Sequence, residues 1–145
     1  MIRENTVKTL NQNIGQKGSA AVEFAIVLQL LVLLVFGTIE FGLMFYNKQV
    51  LTNASREAVR AAITGVAVSE VKQIVLDYCN GKLFSLNGSV NLSASDIDVS
   101  PLDGNDQSVA VSFDYYFLFS QAIGIINPIK VSGRTIMRME PGTGS

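Results

Sequence analysis

Lys17-Gly18-Ser19-Ala20-Ala21-Val22-Glu23-Phe24 leads directly into an uncharged run that ends at Ile39. Small residues flank the Gly18–Ser19 bond, one acid follows at position 23, and the chain then turns apolar. Residues 24–46 read FAIVLQLLVLLVFGTIEFGLMFY. As a helix rising ~1.5 Å per residue they reach ~34 Å, enough to cross a hydrocarbon core of ~30 Å once. Arg3, Lys8 and Lys17 precede the run against one acid, Glu4. That bias places the N-terminus in the cytoplasm and the C-terminal part outside. Tyr46, Asn47 and Lys48 mark the outer interface.

Other membrane-type segments fit less well. A cleaved secretory signal has an apolar core of about 7–15 residues with an A-x-A-like site behind it; this run is longer and no such site follows. An uncut signal anchor matches the length but leaves two acids, Glu23 and Glu40, without a role. A charge at the centre of a membrane helix costs ~2.5–3.5 kcal/mol, and less near an interface. Glu23 lies at the cytoplasmic edge, where anionic lipid disfavours acids. It reads either as an ordinary flanking acid or as the counter-charge of an α-amine, which a cut after Gly18 would create at Ser19. Glu40 lies ~9 Å inside the outer edge. It reads either as a snorkelling acid with local water or as the partner of another helix in an assembly. Asn47 shares its face at i+7, and Gln29 is a further polar group able to hydrogen-bond across helices.

The chain of 145 residues suits one domain with a modest core. Hydrophobic residues make up 48% and mean hydropathy is +0.34, with the excess between residues 20 and 46. A net charge of −1 gives no basic surplus for nucleic acid. His is absent, so the usual neutral-pH acid/base group and commonest metal ligand is missing. No phosphate-binding glycine loop, nucleophile elbow or metal-ligand spacing occurs. Neither enzymatic activity nor a cofactor is expected. Cys79 is the sole cysteine, which excludes a disulfide within the chain. It reads as a buried inert thiol or as half of an intermolecular disulfide outside the cytoplasm.

The helical pattern continues beyond the apolar run. Residues 47–64, NKQVLTNASREAVRAAIT, contain neither Pro nor Gly. Ala54, Ala58 and Ala62 form a small-residue stripe, suited to close helix packing or simply to helix propensity. Arg56 and Arg60 fall on another face, with Glu57 placed to pair with Arg60 at i+3. Gly65 ends the helix. Ser69 then reads as an N-cap with Glu70 in the first turn. Val71, Ile74, Val75 and Tyr78 predict an apolar stripe, and Gly81 a stop.

From there the period switches to two. Val109, Val111, Phe113, Tyr115, Phe117 and Phe119 predict one apolar strand face. Ile97 and Val99 predict a shorter strand before it, joined through the turn Asp103-Gly104-Asn105-Asp106. Residues 129–140 predict a third strand whose wetter face carries Lys130, Ser132, Arg134 and Arg138. Residues 85–95 read as a surface loop, and 120–127 as a short helix or loop closed by Pro128. The acids at 96, 98, 103 and 106 read as a solvated hairpin or, alternatively, a metal site. The fold class expected is α+β: a long N-terminal helix, a short second helix and a small antiparallel sheet of about three strands.

Three stretches carry a family resemblance: Gly18-Ser19-Ala20-Ala21-Val22-Glu23-Phe24-Ala25, Phe36-Gly37-Thr38-Ile39-Glu40-Phe41-Gly42 and Leu51-Thr52-Asn53-Ala54-Ser55-Arg56-Glu57-Ala58-Val59-Arg60. Together they resemble the TadE-like family, minor pilins or pseudopilins of the tight-adherence (Tad, type IVc) pilus system of bacteria. The match covers about residues 17–62, and residues 132–140 resemble the family's closing strand more loosely. Family members often have a proline where Gln29 stands here. The resemblance implies a leader, residues 1–18, removed by a prepilin peptidase between Gly18 and Ser19. It implies a transmembrane and assembly helix over 19–46 and an extracytoplasmic pilin domain over 47–145. Glu23 would neutralise a neighbouring subunit's N-terminal amine. Partners would be the peptidase, other pilin subunits, the inner-membrane platform proteins and the inner membrane itself. Two further readings stand beside it: a bitopic binding or adhesin protein that never polymerises, and a type II secretion pseudopilin.

Overall fold

The computed structural model describes residues 2–101, 106–118, 124 and 128–139, with side chains from residue 18 onward except that of residue 89. Helix α1 runs Ile2–Ile63 without a break. No proline occurs before Pro101, and straight-chain and alanine residues dominate the outer turns. The helix passes through Gln29 as regular α-helix. It ends two residues before Gly65, whose φ of +82° is open to glycine at little cost.

Packing divides the chain into Met1–Ile39 and Glu40–Ser145. In the first unit the described side chains are exposed, save a half-buried position at Gly37. The second unit holds the remainder of α1, helix α2 (Val68–Cys79), a two-residue ribbon β1 (Phe84–Ser85) with β2 (Gly88–Ser89), a 3-10 turn (Ala94–Asp96) and three strands. Strands β3 (Ile97–Pro101), β4 (Asp106–Tyr115) and β5 (Ile129–Arg138) form one antiparallel sheet in the order β3-β4-β5. The architecture is the expected α+β. The globular unit begins at Glu40, and Glu40 and Asn47 are buried within it.

The sheet registers pair Ile97 with Val111, Val99 with Val109 and Gly133 with Val111. Val109, Val111, Phe113 and Tyr115 form the buried face of β4, as the alternation predicts. β4 ends at Tyr115, so Phe117 follows the strand. Phe119, the turn at 102–105, most of 120–127 and Glu140 lie outside the described residues. On β5, Lys130, Ser132, Arg134 and Arg138 are exposed, as expected. Helix α2 differs from expectation in two ways. It starts one residue ahead of Ser69, and the Ala67 carbonyl accepts from the backbone N–H groups of Glu70 and Val71 with no side-chain cap. Its buried line is Val71, Val75 and Cys79, while Ile74 and Tyr78 are only half-buried. The i+4 spacing of 71, 75 and 79 sets the contact face, and the cysteine occupies a core position that apolar counting passes over. The loop expected over 85–95 contains the β1–β2 ribbon, with Gly88 at φ +126°.

The inner stripe of α1 runs through Val50, Leu51, Ala54, Ala58, Val59 and Ala62 and packs in the same core as both α2 and the sheet. Gly133 shows how closely β5 lies on this helix. A β-carbon there would stand 2.6 Å from the Thr52 backbone nitrogen, 2.7 Å from the Leu51 carbonyl carbon and 2.9 Å from its oxygen. Two residues on, Thr135 and the buried Ser55 share a hydroxyl–hydroxyl hydrogen bond of 2.7 Å.

Candidate functional site

The site at the start of the apolar helix is built by helical spacing alone. Ser19 and Glu23 are four residues apart and therefore on one face, about one turn from each other. Side chains on a helix lean toward its N-terminus, so the Glu23 carboxylate leans toward position 19. Both residues are exposed, as is Gly18, and among the described residues no hydrogen bond or ion pair engages Glu23. A β-carbon at Gly18 would meet nothing within 4 Å. The helix continues through the Gly18–Ser19 bond, so no peptide at this point is extended.

Beyond Glu23 the helix presents apolar side chains on every face. Val22 is 62% exposed and Phe24 65%, and Leu30, Leu34 and Phe36 are also exposed. A helix apolar all round and uncovered by its own protein is made for a nonpolar surrounding. Gly18–Ile63 contains a window long and apolar enough to cross a membrane, with none of that window buried.

Glu40 is 2% exposed, and its Oε1 accepts the backbone N–H of Leu118 from the same chain. Within the chain, the segment after β4 folds over the carboxylate. Asn47, seven residues on, is fully buried. Its Nδ2 donates to the Phe84 carbonyl at 2.6 Å and its Oδ1 accepts the Phe84 N–H at 3.0 Å. One amide side chain thereby satisfies both polar groups of a strand residue, as a neighbouring strand would. Next to Glu40, the Tyr115 hydroxyl is buried with no hydrogen-bond partner among the described residues. Burial, and after it the Glu40 charge, push the phenol up.

Ala54, Ala58 and Ala62 face their own core, at 0%, 0% and 9% exposure. They are a packing stripe, but the elements packed on it are this chain's own. Arg56, Glu57 and Arg60 are exposed, and the expected Glu57–Arg60 pair is absent among the described residues, where the ion pair is Arg138–Asp106 at 3.0 Å. The acids proposed to cluster are dispersed in different contacts. Asp96 caps Ser93, Asp98 accepts from Ser100, Asp106 binds Arg138, and Asp103 lies outside the described residues. No group of three or more metal-binding side chains occurs among the described residues. Cys79 is a buried free thiol, held up chiefly by burial and lowered less by Lys82.

Sequence reasoning did not single out Asn47, Ser55 and Gly133 as structural residues. Signals existed for two of them. Asn47 repeats Glu40 at seven residues and falls in line with the alanine stripe; Gly133 is a glycine inside a strand pattern, the usual sign of a close backbone approach. Leu118 acts through its backbone, which side-chain patterns do not reveal.

No curated protein and no solved structure is significantly similar to the chain. A family model described as TadE-like protein matches residues 18–60. That interval starts at the glycine of the Gly18–Ser19 bond and takes in Glu23, the exposed apolar turns, Glu40 and the first two alanines of the stripe. Over residues 18–60, the chain is similar to the TadE-like family.

Proposed function

We propose that the chain is a minor pilin or pseudopilin of a Tad-type pilus, a structural subunit and not an enzyme. It is cut between Gly18 and Ser19 by a prepilin peptidase, held in the inner membrane by the helix over 19–46, and assembled into, or primes assembly of, a pilus used for adherence or secretion. Its C-terminal domain lies outside the cytoplasm. The observation that carries this reading is the uncovered apolar helix with a lone carboxylate one turn from Ser19. Cutting frees an α-amine at the helix N-terminus, where four backbone N–H groups also lack partners. Glu23 then faces a positive end, its own or a neighbour's, and an acid in the first turn is favoured by the helix dipole as well. Gly18 suits the cut: glycine in a helix is ~1 kcal/mol less favourable than alanine, which eases local opening around the bond.

Intact-mass measurement of the chain extracted from membranes tests the reading. In cells with an active prepilin peptidase the mass should correspond to a chain beginning at Ser19. A chain still beginning at Met1 there would refute it. Glu23→Ala should leave cutting intact and abolish incorporation into pili.

A second reading, a bitopic binding protein that does not polymerise, is favoured by one observation: Glu40 and the alanine stripe are engaged within the chain, leaving them unavailable to neighbours. Adherence and secretion unaffected by Glu23→Ala would favour that reading over the first.

A further inference from the structure

We propose that the Glu40 end of the globular unit is a lipid-facing collar, seated in the headgroup and upper acyl region of the outer leaflet around the emerging helix. The proposal rests on reading the apolar segment as a membrane span.

Ten large hydrophobic side chains of the globular unit are exposed among the described residues, and all but Val68 and Ile136 lie at one end of it. Contacts within the unit fix that end. Phe41 of α1 meets the Phe117 ring at 5.5 Å between centroids, and Tyr46 meets Phe84 at 6.1 Å. Asn47 holds Phe84, which places the β1–β2 ribbon and its turn residue Leu86 beside the same turns of α1. Leu118 N–H binds Glu40, and Ile129 pairs with Tyr115, the last residue of β4. From Ile129, β5 runs along α1 past Leu51 and Thr52 to Ser55, away from Glu40. Ile136 stands seven residues further along that strand, ~23 Å from its start. Phe45 is 63% exposed and Phe84 52%, so this end presents large apolar rings that water covers poorly.

Chain length identifies what covers this end. A hydrocarbon core takes about 20 helical residues. A span entering at Glu23 therefore leaves near residue 43, with Phe41, Phe45 and Tyr46 at the boundary where aromatic side chains concentrate. Glu40 would then lie within the acyl region, and it is there that the 116–118 segment encloses the carboxylate and supplies a hydrogen-bond donor. An acid at that depth is costly in lipid and tolerable when buried in protein. Enclosing it requires protein at the same depth, the 116–118 segment, whose Tyr116 and Leu118 side chains are exposed; Phe84 and Leu86, held beside Tyr46 and Asn47, continue the apolar surface at the boundary. Lys48 and Lys130 are exposed nearby, suited to anionic headgroups, with Asp114 opposite Lys130 in the register.

Spin-label accessibility on the full chain in vesicles of phosphatidylethanolamine and phosphatidylglycerol tests this. On a Cys79→Ala background, single labels go at Leu86→Cys, Leu118→Cys, Ile136→Cys and Val27→Cys. The labels at 86 and 118 should collide several-fold more with dissolved oxygen than with an aqueous nickel chelate, while the label at 136 meets nickel freely. Equal nickel access at 86, 118 and 136 overturns the collar. Protection of 86 and 118 from both reagents also overturns it, since another protein surface then covers them. If the label at 27 meets nickel freely, the membrane-span reading itself has failed, a result distinct from failure of the collar alone. Brominated phospholipid should also quench the tyrosine emission of the unsubstituted chain, through Tyr46 and Tyr116; no quenching in a chain shown to span the bilayer overturns the proposal.

Discussion

Replacing Gly133 by alanine adds one methyl group at the tightest contact between α1 and the sheet. Its carbon would sit 2.6–2.9 Å from three backbone atoms of Leu51 and Thr52. These atoms belong to a helix turn and cannot rotate aside as a side-chain tip can. Ordinary contact requires β5 and α1 to separate by most of an ångström, and Ser55–Thr135, two residues along, would lengthen with them. Overpacking of this kind costs ~1–3 kcal/mol, with backbone collisions at the upper end. The opposing gain is that alanine restricts the unfolded chain, worth ~0.4–1 kcal/mol. The net expectation is a loss of about 2 kcal/mol, a sizeable share of the ~5–15 kcal/mol that holds a domain together. For a unit near 100 residues this lowers the melting temperature by about 8–16 °C. Circular dichroism of the detergent-solubilised full chain, followed with temperature, measures it. Ser132→Ala, on the exposed face next door, serves as the control and should change stability by less than about 0.5 kcal/mol. An unchanged or raised melting temperature for Gly133→Ala would show that β5 does not rest on the Leu51–Thr52 turn.

Asn47→Ala removes the partner of both Phe84 backbone groups and should cost about 2–6 kcal/mol, at ~1–3 kcal/mol for each buried group left without one. Hydrogen exchange should rise first at residues 84–89. Glu40→Gln keeps an oxygen able to accept the Leu118 N–H and should cost about 1 kcal/mol, whereas Glu40→Ala leaves that donor without its partner and should cost about 2–3 kcal/mol, read by denaturant unfolding. For Cys79, burial raises the thiol above its ordinary 9.0, so the folded state favours the protonated form. The resulting stability is present below pH 9 and is lost as pH rises through the folded value; the sign follows from the unfolded chain releasing its proton first. A maleimide should accordingly label the native chain much more slowly than the denatured one at pH 7, and equal rates would contradict the burial.

The sequence alone determined the elements whose cause is local or periodic. The apolar run is too long and too uniform to be anything but a helix for a nonpolar surrounding, and the absence of proline carries α1 onward to the glycine at 65. Strict alternation from Val109 to Tyr115 gives β4 its buried face. The Ser19–Glu23 relation is likewise a matter of helical period. Tertiary structure decided what those patterns leave open, namely which surface each face meets. The alanine stripe is equally good for packing on a neighbour or on its own sheet, and only the fold shows β5 laid along it with Gly133 at the contact. Glu40 in a hydrophobic run is a charge that needs water or a partner; within the chain it receives a backbone N–H from a segment 78 residues away. No side-chain pattern encodes that donor, because every residue except proline carries the same one.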